Sequence, residues 1–197
     1  MTFDSFAKPS PQTTALQSNF RIVPQTAASE PLIDDLLDRT FGTERQERTV
    51  YRLRKGLSAV ESLSFMAVSE DGDLIASLRF WPVAIAGKPA ILLGPLAVEP
   101  KHQGLGMGRS LVAVGLKAAK QQGHALCLVV GDPAYYAPYG FIPACPNGLI
   151  LPGPVAPERF QALELVAGAI EGVRGLVERA PEGSTTEGRK PKRSVVA

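Results

Sequence analysis

Three glycines at alternate positions, Gly104, Gly106 and Gly108, stand in the segment EPKHQGLGMGRSLV (99–112), where an apolar helical rhythm begins. Each Gly in a helix interior costs about 1 kcal/mol relative to Ala, so Gly106 and Gly108 inside the first turns would together forfeit about 2 kcal/mol. Behind them Leu105, Leu111, Val112, Leu116 and Ala119 recur at three- and four-residue spacing, with Arg109, Lys117 and Lys120 on other faces. This pattern predicts an amphipathic helix ending near Gly123. Upstream, AILLGPLAV (90–98) is a short apolar run bounded by Gly87 and Pro100 and reads as a buried strand. Strand, bare turn and helix in that order gather main-chain N–H groups and the positive end of a helix dipole at one point, which is the chemistry of anion binding. Two common nucleotide loops fit poorly. The third glycine comes one residue early for G-x-G-x-x-G, and Gln103 holds the place of the first glycine of a P-loop. A helix that merely packs closely through small residues is the plainer alternative.

Gln103-Gly104-Leu105-Gly106-Met107-Gly108 matches the Q/R-x-x-G-x-G/A signature of the GNAT superfamily of acyl-CoA-dependent N-acyltransferases, and the chain resembles that family over roughly residues 18–166. In the family this turn binds the pyrophosphate of coenzyme A through main-chain amides, so the resemblance implies that Gln103 to Gly108 and Arg109 hold the cofactor. Leu96-Ala97-Val98 resembles the family's fourth strand, whose exposed backbone pairs with the pantetheine arm as an added strand would. Its N–H groups would also polarise the thioester oxygen. Downstream, GDPAYYAPYGF (131–141) resembles the last cofactor-side segment, a strand end, a short tyrosine-bearing helix and a terminal Gly-Phe. The combined pattern looks most like the bacterial YhbS-like subgroup, predicted acetyltransferases whose acceptors are mostly unassigned. The implied fold is α/β (α+β): a mixed, mostly antiparallel central sheet of about seven strands, helices on both faces, and a cleft where strand 4 splays from strand 5. Gly94-Pro95 inside an apolar strand agrees, since Pro lacks the ladder N–H and is confined to edges, strand starts and bulges. Pro95 could instead start a shorter strand.

Acyl transfer from a thioester to an amine needs a deprotonated amine, a polarised carbonyl and a proton donor for the leaving thiolate. A lysine-type amine is only about 0.1% neutral at pH 7.4, a deficit of about 4 kcal/mol that a base or a pKa-lowering pocket must offset. Relatives carry a glutamate base four residues before the position matched by Leu96; here that position is Leu92. Glu61, Asp73, Glu99 and Asp132 are conceivable substitutes, and none is singled out by its surroundings in sequence. Tyr136 lies four residues before Gly140-Phe141, the spacing at which relatives place a tyrosine that protonates the coenzyme A sulfur. A phenol is protonated at neutral pH, as a general acid must be. The competing reading makes Tyr135, Tyr136 and Tyr139 an aromatic cluster. Pro138 replaces a basic residue common in relatives, and His102 and His124 form no plausible catalytic pair, though His102 could sit at the cofactor's edge.

The implied function is transfer of an acetyl group from acetyl-CoA to a primary amine of a small molecule or peptide, with Tyr136 as general acid and no metal. The alternative is a catalytically weak acyl-CoA-binding sensor, and transfer of a longer acyl chain is a third possibility. Expected partners are acetyl-CoA and an amine acceptor, without nucleic acid or membrane; a homodimer is allowed.

The elements that must position these residues fit a chain of 197 residues, enough for one domain with a substantial core. Lys plus Arg number 21 against 19 Asp plus Glu, and residues 181–197 hold four basic and two acidic side chains. The tail therefore carries the whole excess, and a nearly neutral body argues against nucleic-acid binding. Cys127 and Cys145 are too few for a zinc site or a disulfide framework. With no leader pattern and no long apolar run, the expected location is the cytoplasm. Residues 1–17 read as a flexible segment, 18–180 as the acyltransferase domain, and 181–197 as a disordered basic tail. FRIV (20–23) reads as a strand, residues 30–41 as a helix after Ser29, and TERQERTVYRLRKG (43–56) as a second, charge-rich helix. Strands follow at 62–68 and 74–85 around Asp71-Gly72, and at 125–130. PERFQALELV (157–166) suits a helix by propensity, whereas the resemblance implies two strands around Pro152-Gly153-Pro154.

Overall fold

The computed structural model describes residues 20–181, so the expectations for residues 1–17 and for the tail past Pro181 fall outside the described residues. The first half of the chain builds β1 (Phe20–Pro24), α1 (Glu30–Phe41), α2 (Thr49–Arg52), β2 (Phe65–Ser69), β3 (Leu74–Ile85) and β4 (Lys88–Val98). The second half adds α3 (Met107–Gln121), β5 (Leu126–Val130), α4 (Pro133–Tyr136), β6 (Ile142–Pro143), β7 (Leu149–Ile150), β8 (Phe160–Glu164) and β9 (Gly175–Arg179). The order across the sheet is β1-β2-β3-β4-β5-β8-β6, and β9 joins the far half of β3 to β7. All pairings are antiparallel except β4 with β5 and β7 with β9. This is the mixed GNAT-like sheet expected from the sequence, with two extra strands beyond the seven and two of the nine only two residues long.

The central strands are uninterrupted apolar runs because both of their faces are covered. Along β4, Ile91 and Leu93 face the core beneath α3 while Leu92 faces the opposite core; along β5, Cys127 and Val129 alternate with Leu126 and Leu128 in the same way. The helix α3 presents Leu111, Val112, Leu116 and Ala119 to the first of these cores. It can lie that close because Gly115 has no side chain, since a Cβ there would come 2.6 Å from Phe80 Cε2. On the other side, α1 lays Ile33, Leu36 and Leu37 against Ala97 of β4.

Two local readings need correction. Residues 43–56 do not form one helix: a 3-10 turn covers Thr43–Glu47, Arg48 is extended at φ −65°, ψ 145°, and only the four residues of α2 are α-helical. Contacts outside the segment override the helical propensity here. Arg45 is buried against Asp34 and Asp38, at 3.5 and 2.7 Å, and the Thr49 hydroxyl donates to Pro154 O at 3.1 Å. In 157–166 the strand reading holds and the helical one fails, because Phe160–Glu164 completes the sheet beside β5. Its partner on the outer side is β6, while β7 pairs with β9 instead.

Candidate functional site

The strand β4 breaks its regularity at Gly94–Pro95. On the β3 side Leu78 faces Leu96 but Phe80 faces Leu93, so three residues of β4 span what two span on β3. That extra residue is the bulge implied by Pro95. On the other side, pairing with β5 runs from Ile91–Cys127 to Leu93–Val129 and stops. From there the backbone of Leu96, Ala97 and Val98 has no partner strand on its β5 side among the described residues. The two strands part at the middle of the sheet, and a cleft opens between them.

The glycine turn sits at the end of the freed stretch. Gly106 is the N-cap of α3 at φ +87°, so it lies outside the helix and only Gly108 incurs the helical penalty. Gly104 shares the left-handed conformation at φ +81°, and a Cβ at either position would meet nothing within 4 Å. These two glycines therefore serve the backbone path and leave its amides approachable. Gly108 serves packing, because a Cβ there would stand 2.8 Å from the Tyr135 hydroxyl and 3.3 Å from Val98 Cγ2. The first helical bond runs from Ser110 N to Gly106 O at 3.0 Å, which leaves the amides of Met107, Gly108 and Arg109 ahead of it. The Gln103 side chain donates to Val98 O at 3.1 Å and fastens the turn to the end of β4. The Tyr139 hydroxyl donates to Arg109 O at 3.1 Å and fastens it to the segment after α4.

A cavity of about 500 Å³ follows from this arrangement. Of the residues singled out in the sequence, Leu96, Val98, Gln103, Gly104, Gly106, Met107, Gly108 and Arg109 line it. Ala97 turns its side chain toward α1, and Leu105 is 66% exposed and outside the cavity wall. His102 also lines the cavity. Leu96, Phe41 and Tyr135 continue the wall into a second hollow, of about 330 Å³, along the bulge and the parted ends of β4 and β5.

Tyr136 lines this second hollow. Its ring is gripped edge-on by Tyr135 at 5.0 Å and Phe141 at 5.5 Å, and a Cβ at Gly131 would collide with it. Tyr136 is thus both part of the aromatic cluster and part of the cleft wall. Burial pushes its phenol well above the ordinary tyrosine range, so it is un-ionised at any physiological pH. Leu92 is completely buried in the opposite core and offers no proton acceptor. Of the four carboxylates considered, only Asp132 lines the cleft, and its Oδ1 accepts from Ala134 N at 2.9 Å as the N-cap of α4. Glu99 is paired with Arg39 at 3.1 Å. Phe41, Arg48, Tyr51, Arg54 and Arg159 also line the cleft and were not visible as site residues in the sequence. Arg48, Tyr51 and Arg54 belong to the segment read as one charge-rich helix, which breaks at Arg48, and Arg159 stands in the turn before β8.

The acetyltransferase (GNAT) family profile matches residues 31–141, more than half of the chain. The chain belongs to the GNAT acetyltransferase family. YhbS of Escherichia coli strain K12, named an uncharacterized N-acetyltransferase, is 35% identical over 150 residues, covering 75% of this chain and 89% of that protein. YjhQ of the same strain, also named an uncharacterized N-acetyltransferase, is 32% identical over 148 residues, 73% of this chain and 80% of that protein. The crystal structure of E. coli YhbS in complex with CoA superposes with a TM-score of 0.72 at 30% identity, over 89% of this chain and 93% of that one. A GNAT family acetyltransferase from Brucella melitensis, solved with acetyl-CoA, shares the fold at a TM-score of 0.62 and 24% identity, over 81% and 94% of the two chains. This acetyltransferase has no cluster of three or more metal-ligating side chains and no membrane-crossing helix among the described residues.

Proposed function

We propose that this GNAT enzyme moves an acetyl group from acetyl-CoA to a primary amine of a small molecule or peptide, directly and with Tyr136 as the general acid. The observation that carries the reading is the parting of β4 from β5 after Leu93, with a glycine turn at one end of the freed edge and Tyr136 in the wall. The turn fits a pyrophosphate. Gly104 and Gly106 leave open space over their backbone, and the leading amides of α3 lie beside it. The unpaired edge at Leu96 to Val98 fits an extended pantetheine arm in the manner of an added strand.

Acetyl-CoA supplies an activated acyl carbon: a C–N bond to the acceptor forms as the C–S bond breaks, the amine gives up a proton and the thiolate takes one. The chain's part is to position and to manage protons. Main-chain N–H groups from Leu96 to Val98 stabilise the charge that gathers on the thioester oxygen. Tyr136 donates its phenolic proton to the departing sulfur, and its raised pKa keeps that proton available. With Leu92 in the usual base position, the amine loses its proton to water or arrives neutral. The fully buried Leu92 is also what favours the sensor reading, and steady-state release of free thiol over an amine panel separates the two, because a sensor binds without turnover.

Tyr136→Phe tests the role of the hydroxyl while keeping the ring. Loss of a proton donor used only in the transition state lowers kcat by about 10- to 1,000-fold with acetyl-CoA affinity nearly unchanged. An unchanged kcat on a true acceptor returns Tyr136 to a purely structural role.

A further inference from the structure

The hollow beside the bulge ends against a group of enclosed hydrogen-bond donors that acetyl transfer, as derived above, does not use. Tyr51 Oη, Nε and Nη1 of Arg54, and Trp81 Nε1 are all enclosed and without a hydrogen-bond partner among the described residues. These three side chains line one recess of about 410 Å³ together with Arg79 and Pro95. Tyr51 and Arg54 also line the hollow that holds Tyr136, so the recess adjoins the cleft.

Among the described residues, Arg54 is the buried cation at the recess that lacks a carboxylate partner, while Lys55, which also lines it, is exposed. Arg79 Nη2 lies 2.7 Å from Glu30 Oε2, and Arg45 pairs with Asp34 and Asp38. Arg54 has no carboxylate within ion-pair distance among the described residues, although it is only 7% exposed. Its guanidinium lies over the ring faces of Tyr51, at 4.7 Å, and Trp81, at 5.7 Å. Nη2 reaches to 3.2 Å from where a Cβ on Gly94 would stand, so the group abuts the bulge itself. Burial lowers the guanidinium to about 10, which leaves it a cation at neutral pH. An enclosed cation with its donors unmet is costly, and the cost falls when an anion with free lone pairs binds. Arg48 and Arg159 add positive charge to the cleft wall, and its one acid, Asp132, is engaged at the α4 N-cap.

Gly94, which Arg54 abuts, and Leu96, which shares the hollow with Tyr136, stand on either side of Pro95 in the bulge. An acceptor of amino-acid size lying along this stretch would put its amine toward Leu96 and Tyr136 and its anionic end toward Arg54. We propose that Arg54, supported by Tyr51 and Trp81, is a subsite for a carboxylate on the acceptor, so that the substrate class is amino acids or peptide-like amino carboxylates rather than neutral or cationic amines. Arg54 is one buried, uncompensated positive charge, whereas Arg48, Lys55 and Arg159 are exposed to solvent; a single buried charge calls for a monoanion, which favours a carboxylate over a phosphate dianion. The inference rests on the transferase reading of the cleft.

The test pairs each of a series of L-amino acids with its C-terminal amide, adds 2-aminoethyl phosphate, and titrates them into the full chain loaded with CoA by calorimetry. Thiol release from acetyl-CoA is followed in parallel. At least one amino acid is expected to bind and react about 10- to 100-fold better than its amide. That advantage disappears in Arg54→Gln, returns in part in Arg54→Lys, and leaves CoA affinity within about twofold of wild type. Carboxylates no better than amides, an advantage that survives in folded Arg54→Gln, or a preference for the phosphate probe overturns the proposal. If Arg54→Gln does not fold, Arg54→Lys and the wild-type comparison decide. Failure of wild type to bind CoA instead sinks the transferase reading, and the probe titration on the free protein still reports on Arg54.

Discussion

At Gly106 a single residue serves two purposes, a left-handed backbone at φ +87° and a clear approach to the amides that lead α3. Gly106→Ala tests the first, because a Cβ in that conformation costs about 1–2 kcal/mol and shifts the turn. Gly106→Glu tests both, adding a negative charge where the phosphates of coenzyme A are proposed to lie. Calorimetry is expected to show at least a tenfold loss of CoA affinity for the glutamate variant and a smaller loss for alanine. Wild-type affinity for Gly106→Glu removes this turn from the cofactor site. Gly108 obeys a different rule, set by the Tyr135 hydroxyl that would meet its Cβ. Identical letters two positions apart thus answer to backbone conformation in one case and to side-chain proximity in the other. Sequence spacing alone did not separate them.

At the scale of elements, α3 is seated by Gly115 against Phe80, and the fit leaves no room for a methyl group. Gly115→Ala therefore sets a gain in helix propensity of about 1 kcal/mol against overpacking of about 1–3 kcal/mol. A lowered melting temperature is expected, with CoA affinity retained; a raised one would mean that the sheet yields at Phe80. The helix α3 and the strands β2 to β5 were legible in the sequence because their apolar periods coincide with the faces they bury. Tyr136 and the glycine turn were legible through motif spacing. The segment around α2 was not, since Thr49 and Arg54 meet Pro154 and Trp81 far along the chain and Arg45 pairs back onto α1, whereas local propensity pointed to one continuous charge-rich helix. Strand β9 escaped as well: GLVER has one fully buried residue, Val177, and its partners in β3 precede it by about ninety positions.

For the whole molecule, buried titratable groups set a pH window of stability. Burial lowers the His124 imidazole, so the unfolded chain binds that proton more tightly and stability falls as pH drops below about 6.5. Burial raises the Cys127 thiol, the Tyr136 phenol and the Tyr135 phenol, the last to about 12. Their stabilisation is complete below the unfolded pKa values and is lost as pH climbs from about 9 through 12. Thermal melts across pH are expected to show a plateau between about 6.5 and 9, with decline on both sides. A decline that begins near pH 8 would implicate other groups. The placement of β9 carries a consequence in time rather than in space. Until Gly175–Arg179 has been synthesised, Val83, Ala84 and Ile85 of β3 present an apolar edge with no β9 to cover it. Ninety-four residues separate Ile85 from Arg179, about 5–20 s of ribosomal elongation. Throughout that interval the nascent chain carries its half-finished sheet exposed, and its yield in a cell depends on what shields that edge before the last strand arrives.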